Sequence, residues 1–361
     1  MTSGTGSAKN KGFVPQESHM NRREFLAGTA AVAAFGGAAF GKGQAPDQGR
    51  GRLGAPGGGR GPGTPANVPA AKLARVSIMT LNFSNMLKFP WTQNPNENQV
   101  LSVFDLPQMY QDVYGVSHIE FQHGHLVNGG QTPPDAAFFR EMRAKLDAAK
   151  VIATQVNIEI GTIPNLAGEA RDKWMTLGKQ WVDAAPIIGV KRLMLNQTGL
   201  NEETKANTIS VWKEIQDYAK PKGIRISAET RGTGGGRRGG AAGDQPPAPP
   251  VPPPDPRAAA RTAYTLLAQV IEAAGAYSNV DIGNVGAPDQ QTLNDAIKAL
   301  YPTSSGNMHI KSSPNWDIGN AVRFTESLGY RGHYSIEVNG HPAVRQVYAI
   351  IVANVTNPLT E

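Results

Sequence analysis

From about residue 73 onward, short apolar runs alternate with longer segments of helical period, eight times in about 280 residues. The pairs are Arg75–Thr80 with Leu106–Tyr114, His118–Phe121 with Pro134–Ala149, Val151–Ile160 with Ala167–Ile188, and Lys191–Asn196 with Glu202–Ala219. They continue as Ile224–Glu229 with Arg257–Ala274, Val280–Gly283 with Gln290–Leu300, Met308–Lys311 with Asn320–Leu328, and His333–Val338 with Pro342–Val355. Regular strand–helix alternation demands a parallel sheet, because each return to the same sheet edge needs a crossover. Eight such units at this length predict an α/β fold, a single closed (β/α)8 TIM barrel over residues 73–361, rather than an open doubly wound sheet. No Gly-x-Gly-x-x-Gly follows the first run, which argues against a dinucleotide site there. The fifth unit is interrupted at 232–256 by a Gly-Gly-Gly run, Arg237-Arg238 and eight prolines, a low-complexity insertion that cannot pack a core.

Charge is divided unevenly along the chain. Residues 1–73 carry nine Lys/Arg against three Asp/Glu, and the remaining 288 carry 26 of each. The formal charge of +6 therefore belongs to the N-terminal region, and the neutral barrel gives no reason to expect a nucleic-acid partner. In that region Arg22-Arg23 is followed by Phe25-Leu26 and a weakly apolar Ala/Gly stretch to Phe40, the pattern of a twin-arginine signal over residues 1–42. The stretch is short and glycine-rich for a membrane span, which needs about 20 strongly apolar residues. Residues 43–72 are rich in Gly, Pro and Ala and are expected to form a disordered linker. The expected location is periplasmic or exported, with the twin-arginine machinery as a partner; an uncleaved signal would act as a membrane tether. The absence of cysteine suits a protein that folds before export and excludes thiolate metal sites.

Four residues end consecutive strand-like runs: Glu229, Asp281, His309 and Glu337. In a (β/α)8 barrel the C-terminal strand ends point into the site, and neighbouring strands lie about 4.8 Å apart. Four consecutive strands can then surround one point. Three carboxylates and one imidazole form a hard, mostly oxygen donor set, which predicts one divalent ion such as Mn²⁺, Co²⁺, Mg²⁺ or Zn²⁺. Polar residues near other strand ends suit a hydroxyl-rich substrate. Glu120, His123 and His125 follow the second run, Asn157 and Glu159 lie in the third, and Asn196 and Gln197 end the fourth. Arg231 lies just past Glu229, and Lys311 follows His309. His123, Asn196, Arg231, Asn284 and Lys311 are the candidate substrate-binding residues.

From Leu73 to Pro358 the chain resembles the xylose-isomerase-like sugar phosphate isomerase/epimerase barrels. The resemblance rests on Gly115-x-x-x-Ile119-Glu120, Ile226-Ser227-Ala228-Glu229, Asp281-Ile282-Gly283-Asn284, Met308-His309-Ile310-Lys311 and the segment Gly329 to Glu337. It implies that Glu229, Asp281, His309 and Glu337 are the metal ligands, with Glu229 and Glu337 also serving as the acid/base pair. In such chemistry a divalent ion stabilises the enediolate formed when a carboxylate removes a proton next to a carbonyl. Two positions depart from the family pattern: Asn284 replaces a usual His, and Ser312 stands where Asp often follows the His-x-Lys segment.

The expected function is a metal-dependent isomerase or epimerase acting on a free sugar or polyol-derived ketone, since phosphosugars are mainly cytosolic. The alternative is a lyase or dehydratase on a keto-sugar or inosose, sharing the enolate but expelling a leaving group. A non-catalytic sugar-binding barrel would have little use for all four ligands. An apurinic endonuclease needs several ligating histidines, and only His309 stands at a ligand position. Oligomeric state is left open by the sequence.

Overall fold

The computed structural model describes residues 68–360 except 90–94, 128–129, 162, 164–165, 196–198 and 231–254. The expected signal and most of the linker, and the insertion as far as residue 254, lie outside the described residues. A one-turn helix, Ala70–Leu73, leads into eight parallel strands closed in sequence order. They are β1 (Val76–Met79), β2 (His118–Gln122), β3 (Ile152–Ile158), β4 (Arg192–Leu195), β5 (Arg225–Glu229), β6 (Tyr277–Asp281), β7 (Ser304–Ile310) and β8 (His333–Ile336). β1 pairs with β8 through Val76 to Tyr334 and Ile78 to Ile336, which closes the barrel.

Eight helices follow the strands: α1 (Leu106–Tyr114), α2 (Ala136–Ala149), α3 (Gly168–Ile188), α4 (Lys205–Ala219), α5 (Pro256–Ala274), α6 (Gln290–Leu300), α7 (Ile318–Ser327) and α8 (Gly340–Asn354). Their starts and stops are written locally. Asp135, Asp255, Asp289 and Asp317 cap α2, α5, α6 and α7, each accepting a hydrogen bond from a backbone N–H of the first turn. α3 stops at Gly189, whose φ of 87° suits a residue without a Cβ. Helix faces are apolar at helical spacing, as in α2, where Phe139, Met142, Leu146 and Ala149 are buried. Among the described residues, no helix is long and apolar enough to cross a membrane.

Alternation along the strands divides the interior in two. One set of positions is apolar and fully buried: Ile78, Ile119, Val156, Leu193, Ile226, Val280, Met308 and Ile336, the layer against the helices. The alternate set is mostly polar, with Met79 and Met194 as apolar members. Glu120 of β2, Gln155 of β3, Asn279 of β6 and Asn307 of β7 hydrogen-bond to one another across strands that are not all neighbours, so these side chains occupy the lumen. TIM-barrel lumens are dominated by bulky branched apolar side chains; this one carries a polar layer instead.

That layer explains where the strands differ from expectation. β6 starts at Tyr277 rather than Val280, and β7 starts at Ser304 rather than Met308. The added residues are mainly polar, Ser278 and Asn279 and then Ser304 to Asn307, and carry no apolar strand signal. Several of their polar atoms are hydrogen-bonded internally, as when Ser278 Oγ donates to Leu300 O at 2.7 Å.

Candidate metal centre

Register brings the four candidate ligands together. Asp281 of β6 lies level with His309 of β7, and His309 lies level with Ser335 of β8, two residues before Glu337. Glu229 of β5 pairs with Asn279, two residues before Asp281. This stagger is the shear of a closed barrel, which offsets strand positions along the tilted sheet. One donor atom from each of Glu229, Asp281, His309 and Glu337 lies within 4.8 Å of the others.

His309 is the centre of the cluster. Its Nδ1 is 3.0 Å from Glu337 Oε2, 3.2 Å from Glu229 Oε1 and 3.6 Å from Asp281 Oδ2. Its Nε2 is 2.7 Å from Glu120 Oε1. Three of these carboxylates thus crowd one nitrogen, while a fourth takes the other. Glu120, Asp281 and His309 are fully buried, and Glu229 is nearly so.

Lys311 lies beside the cluster. Its Nζ is 2.8 Å from Asp281 Oδ2 and 2.9 Å from Glu337 Oε1, and it donates to Asn284 Oδ1 at 3.2 Å. Its stem crosses Gly283 so closely that a Cβ there would stand 2.7 Å from Lys311 Cβ and Cδ. Asp281 Oδ1 accepts from the backbone N–H groups of Gly283 and Asn284 at 2.8 and 2.9 Å. Burial alone would raise its pKa, but the Lys311 charge and hydrogen bonds hold it well below the usual range. Glu229 behaves oppositely: burial, then the Asp281 charge, push it up to about 7. Burial disfavours the charged form of His309, yet the surrounding carboxylates, Glu120 first, raise its pKa well above the usual value. Glu120 is held below the usual carboxylate range, because His309 and its hydrogen bonds outweigh burial.

The donor set fits a small divalent cation. The cluster sets three carboxylates around Nδ1, a donor set that could hold a cation. Glu337 Oε2 is buried and accepts no hydrogen bond, as expected of an oxygen whose partner is an ion. Around an ion about 2.1 Å from each donor, octahedral ligands stand at most about 4.2 Å apart, so the cluster needs only a small contraction.

The remaining candidates are placed less centrally. His123 is buried at the end of β2, and its Nδ1 accepts from the backbone N–H of Glu159 at 3.0 Å. That leaves the ring proton on Nε2. His125 is held by Thr80 Oγ1 at 2.9 Å and Ser84 Oγ at 3.1 Å, a structural setting. Asn284 joins the site through Lys311. Asn196 and Arg231 lie outside the described residues, as does Gln197. Sequence reasoning placed Glu120 among the mouth-lining groups and missed Gln155, Asn279 and Asn307 altogether. The available signal was a period of two: His118, Glu120 and Gln122; Ser305, Asn307 and His309; His333, Ser335 and Glu337.

No protein-family model matches the chain, and no curated protein matches it. Solved structures do. The 3-keto-D-glucoside 4-epimerase of E. coli aligns with TM-score 0.52 and 12% identity over 77% of this chain and 99% of its own. A xylose isomerase domain protein from Planctomyces limnophilus aligns with TM-score 0.50 and 14% identity over 77% and 95%. A probable 3-DHS dehydratase from Bacillus anthracis aligns with TM-score 0.50 and 12% identity over 77% and 97%. At such identities the likeness establishes architecture: the chain has the closed (β/α)8 fold of the xylose-isomerase-like barrels.

Proposed function

We propose that this chain is a divalent-metal-dependent isomerase or epimerase of a free sugar or polyol-derived ketone, exported by the twin-arginine route. The observation that carries the reading is the ring of Glu229, Asp281 and Glu337 around His309 Nδ1. These four residues would hold the ion. When bound, the ion supplies positive charge that stabilises the oxyanion developing on the substrate.

The protein's own groups supply the proton transfers. Glu229 ends β5 and Glu337 lies one residue past β8, so they reach the central point from different parts of the rim. One carboxylate takes the proton from the carbon beside the substrate carbonyl, and the C–H electron pair passes into the enediolate. The other returns a proton to the same carbon for epimerisation; for isomerisation it protonates the neighbouring former carbonyl carbon, while the first carbon's hydroxyl proton passes to the former carbonyl oxygen. Lys311 holds Asp281 and Glu337 in place, and His123, with its proton on Nε2, offers a donor to a substrate oxygen.

A second reading, a lyase or dehydratase, is favoured by Asn284. Its side chain is engaged with Lys311 and cannot titrate, so a residue of usual acid/base capacity is missing at this corner. In that case the same enolate expels a β-hydroxyl or alkoxide. One experiment separates the two. Substrate incubated with Mn²⁺-loaded protein in D₂O should be recovered carrying deuterium if the carbon is reprotonated. Elimination would instead give an unsaturated ketone with ultraviolet absorbance. Protein that takes up no divalent ion, or turns over no member of a broad panel of free sugars and keto-sugars, would defeat the enzyme reading. Export is tested separately: Arg22→Lys with Arg23→Lys should strand folded protein in the cytosol.

A further inference from the structure

Glu120 is a fully buried carboxylate on β2, across the lumen from the four strands that end in the candidate ligands. A buried charge of this kind is destabilising unless its partners are well placed. Its partners here include three nitrogen donors. Oε1 is 3.0 Å from Gln155 Nε2 and 2.7 Å from His309 Nε2, and Oε2 accepts from Asn307 Nδ2 at 2.9 Å. Both amides are themselves fixed, since Gln155 Nε2 and Asn307 Nδ2 also donate to Asn279 Oδ1 at 3.3 and 3.1 Å. The result is a floor of four polar side chains from β2, β3, β6 and β7, with one carboxylate oxygen aimed up at the imidazole.

The chemistry of that contact is directional. An ionised carboxylate only accepts hydrogen bonds, so Nε2 of His309 must carry the proton. In the neutral ring this leaves the Nδ1 lone pair facing Glu229, Asp281 and Glu337. A ring nitrogen bound to metal is characteristically oriented by a carboxylate on its other nitrogen, which sharpens both tautomer and basicity. We propose that Glu120 is a positioning residue of the metal centre: held by Gln155 and Asn307, it fixes His309 as the Nε2–H tautomer and aims Nδ1 at the ion. This inference rests on the metal reading above, and the test is built so that the two can fail separately.

The test titrates full-length protein with Mn²⁺, comparing wild type with Glu120→Ala, Glu120→Gln and Glu120→Asp. Imidazole ¹⁵N spectra of the Zn²⁺-loaded proteins accompany the titrations. Glu120→Ala should weaken Mn²⁺ binding by about 10–100-fold. Glu120→Asp, which keeps the charge, should recover part of the loss. Glu120→Gln keeps the volume, so it serves if the alanine variant does not fold. Its single carbonyl oxygen cannot serve three donors, and it too should bind more weakly. In wild type, one imidazole should show a strongly deshielded Nε2-bound proton that shifts or disappears in the Ala and Gln variants. A merely structural carboxylate would lower stability without moving that signal. The inference is overturned if folded Glu120→Ala and Glu120→Gln bind Mn²⁺ within about threefold of wild type, or if the imidazole spectrum is unchanged. Wild type that binds no Mn²⁺ defeats the metal reading and this inference together; wild type that binds while the variants bind equally well defeats this inference alone.

Discussion

The two ends of the barrel bury charge in opposite ways. At the N-terminal end Arg75 is fully enclosed, and its donors meet protein acceptors: Gly332 O at 2.6 Å, Tyr330 O at 3.0 Å, Asn357 O at 2.5 Å and Glu326 Oε1 at 2.8 Å. Glu326 in turn accepts from Tyr334 Oη at 2.6 Å and from the backbone N–H groups of Thr356 and Asn357 at 2.8 and 2.6 Å. Within this knot one acid and one base cancel, and it ties Arg75 before β1, α7, β8 and the C-terminal tail across the seam where the barrel closes. At the C-terminal end four carboxylates surround one imidazole, with Lys311 as the added base. The acids there outnumber the bases, a donor set that could hold a cation. A buried ionic group completed by its own chain is a structural device, whereas one left with an excess of a single sign is built for something that binds.

The largest test of this contrast is Glu229→Gln. At the mouth it should abolish most Mn²⁺ uptake and cost about 10²–10⁴-fold in rate through loss of the acid/base group, beyond the effect of weaker metal binding. Under chelator the same variant should be as stable as wild type or gain about 0.5–2 kcal/mol in urea unfolding, because it relieves like-charge crowding. A variant that loses stability under chelator would show that the mouth is a structural ion cluster like the base.

Next in size is Arg75→Met, which removes the charge and keeps much of the volume. It strands Glu326 in the interior and should destabilise the fold by about 3–5 kcal/mol. Urea midpoints give the loss, and Mn²⁺ stoichiometry of the remaining folded protein should stay at the wild-type value. A loss below about 1 kcal/mol would mean that water or the C-terminal tail rearranges to solvate Glu326, and the two ends would no longer differ in kind.

Much of this was legible in the sequence, and the part that was not has a common cause. Strand–helix alternation announced the barrel because each strand offers an apolar face to a helix, as Ile226 and Ala228 do around Ser227. The four candidate ligands stood out because each ends such a run. Hidden were the polar starts of β6 and β7 and the roles of Gln155, Asn279 and Asn307. A strand read by its apolar residues loses the stretches where the lumen side is polar, and an amide between two strands reveals its partner only once the sheet closes. Arg75 was hidden for the same reason: its partners lie about 250 residues away, at Glu326, Tyr330 and Gly332, and at Asn357 in the tail.

The smallest effect concerns acid stability at the base. His333 is fully buried and meets His118 from β2, with ring centroids 4.6 Å apart, while Arg192 of β4 and Arg75, just before β1, also bear on it. Burial first, then these three basic neighbours, push its pKa well below the ordinary value, so the folded protein keeps this ring neutral. In the unfolded chain it would titrate near about 6.5. The sign follows directly. Above that pH both states hold a neutral ring, and stability does not change with pH on its account. Below it the unfolded chain binds a proton that the folded one refuses, so stability falls by up to about 1.4 kcal/mol per pH unit until the folded ring itself protonates. His125 and His341, each lowered by burial to about 4, add slopes of the same sign. Those slopes are common to wild type and to a His333→Gln variant, so the difference between the two isolates His333. Urea unfolding between pH 7 and 5, in excess Mn²⁺ to keep the mouth filled, should give a shallower acid slope for His333→Gln, with the gap growing to about 2 kcal/mol at pH 5. Equal slopes would mean that His333 takes up a proton in the folded protein as well.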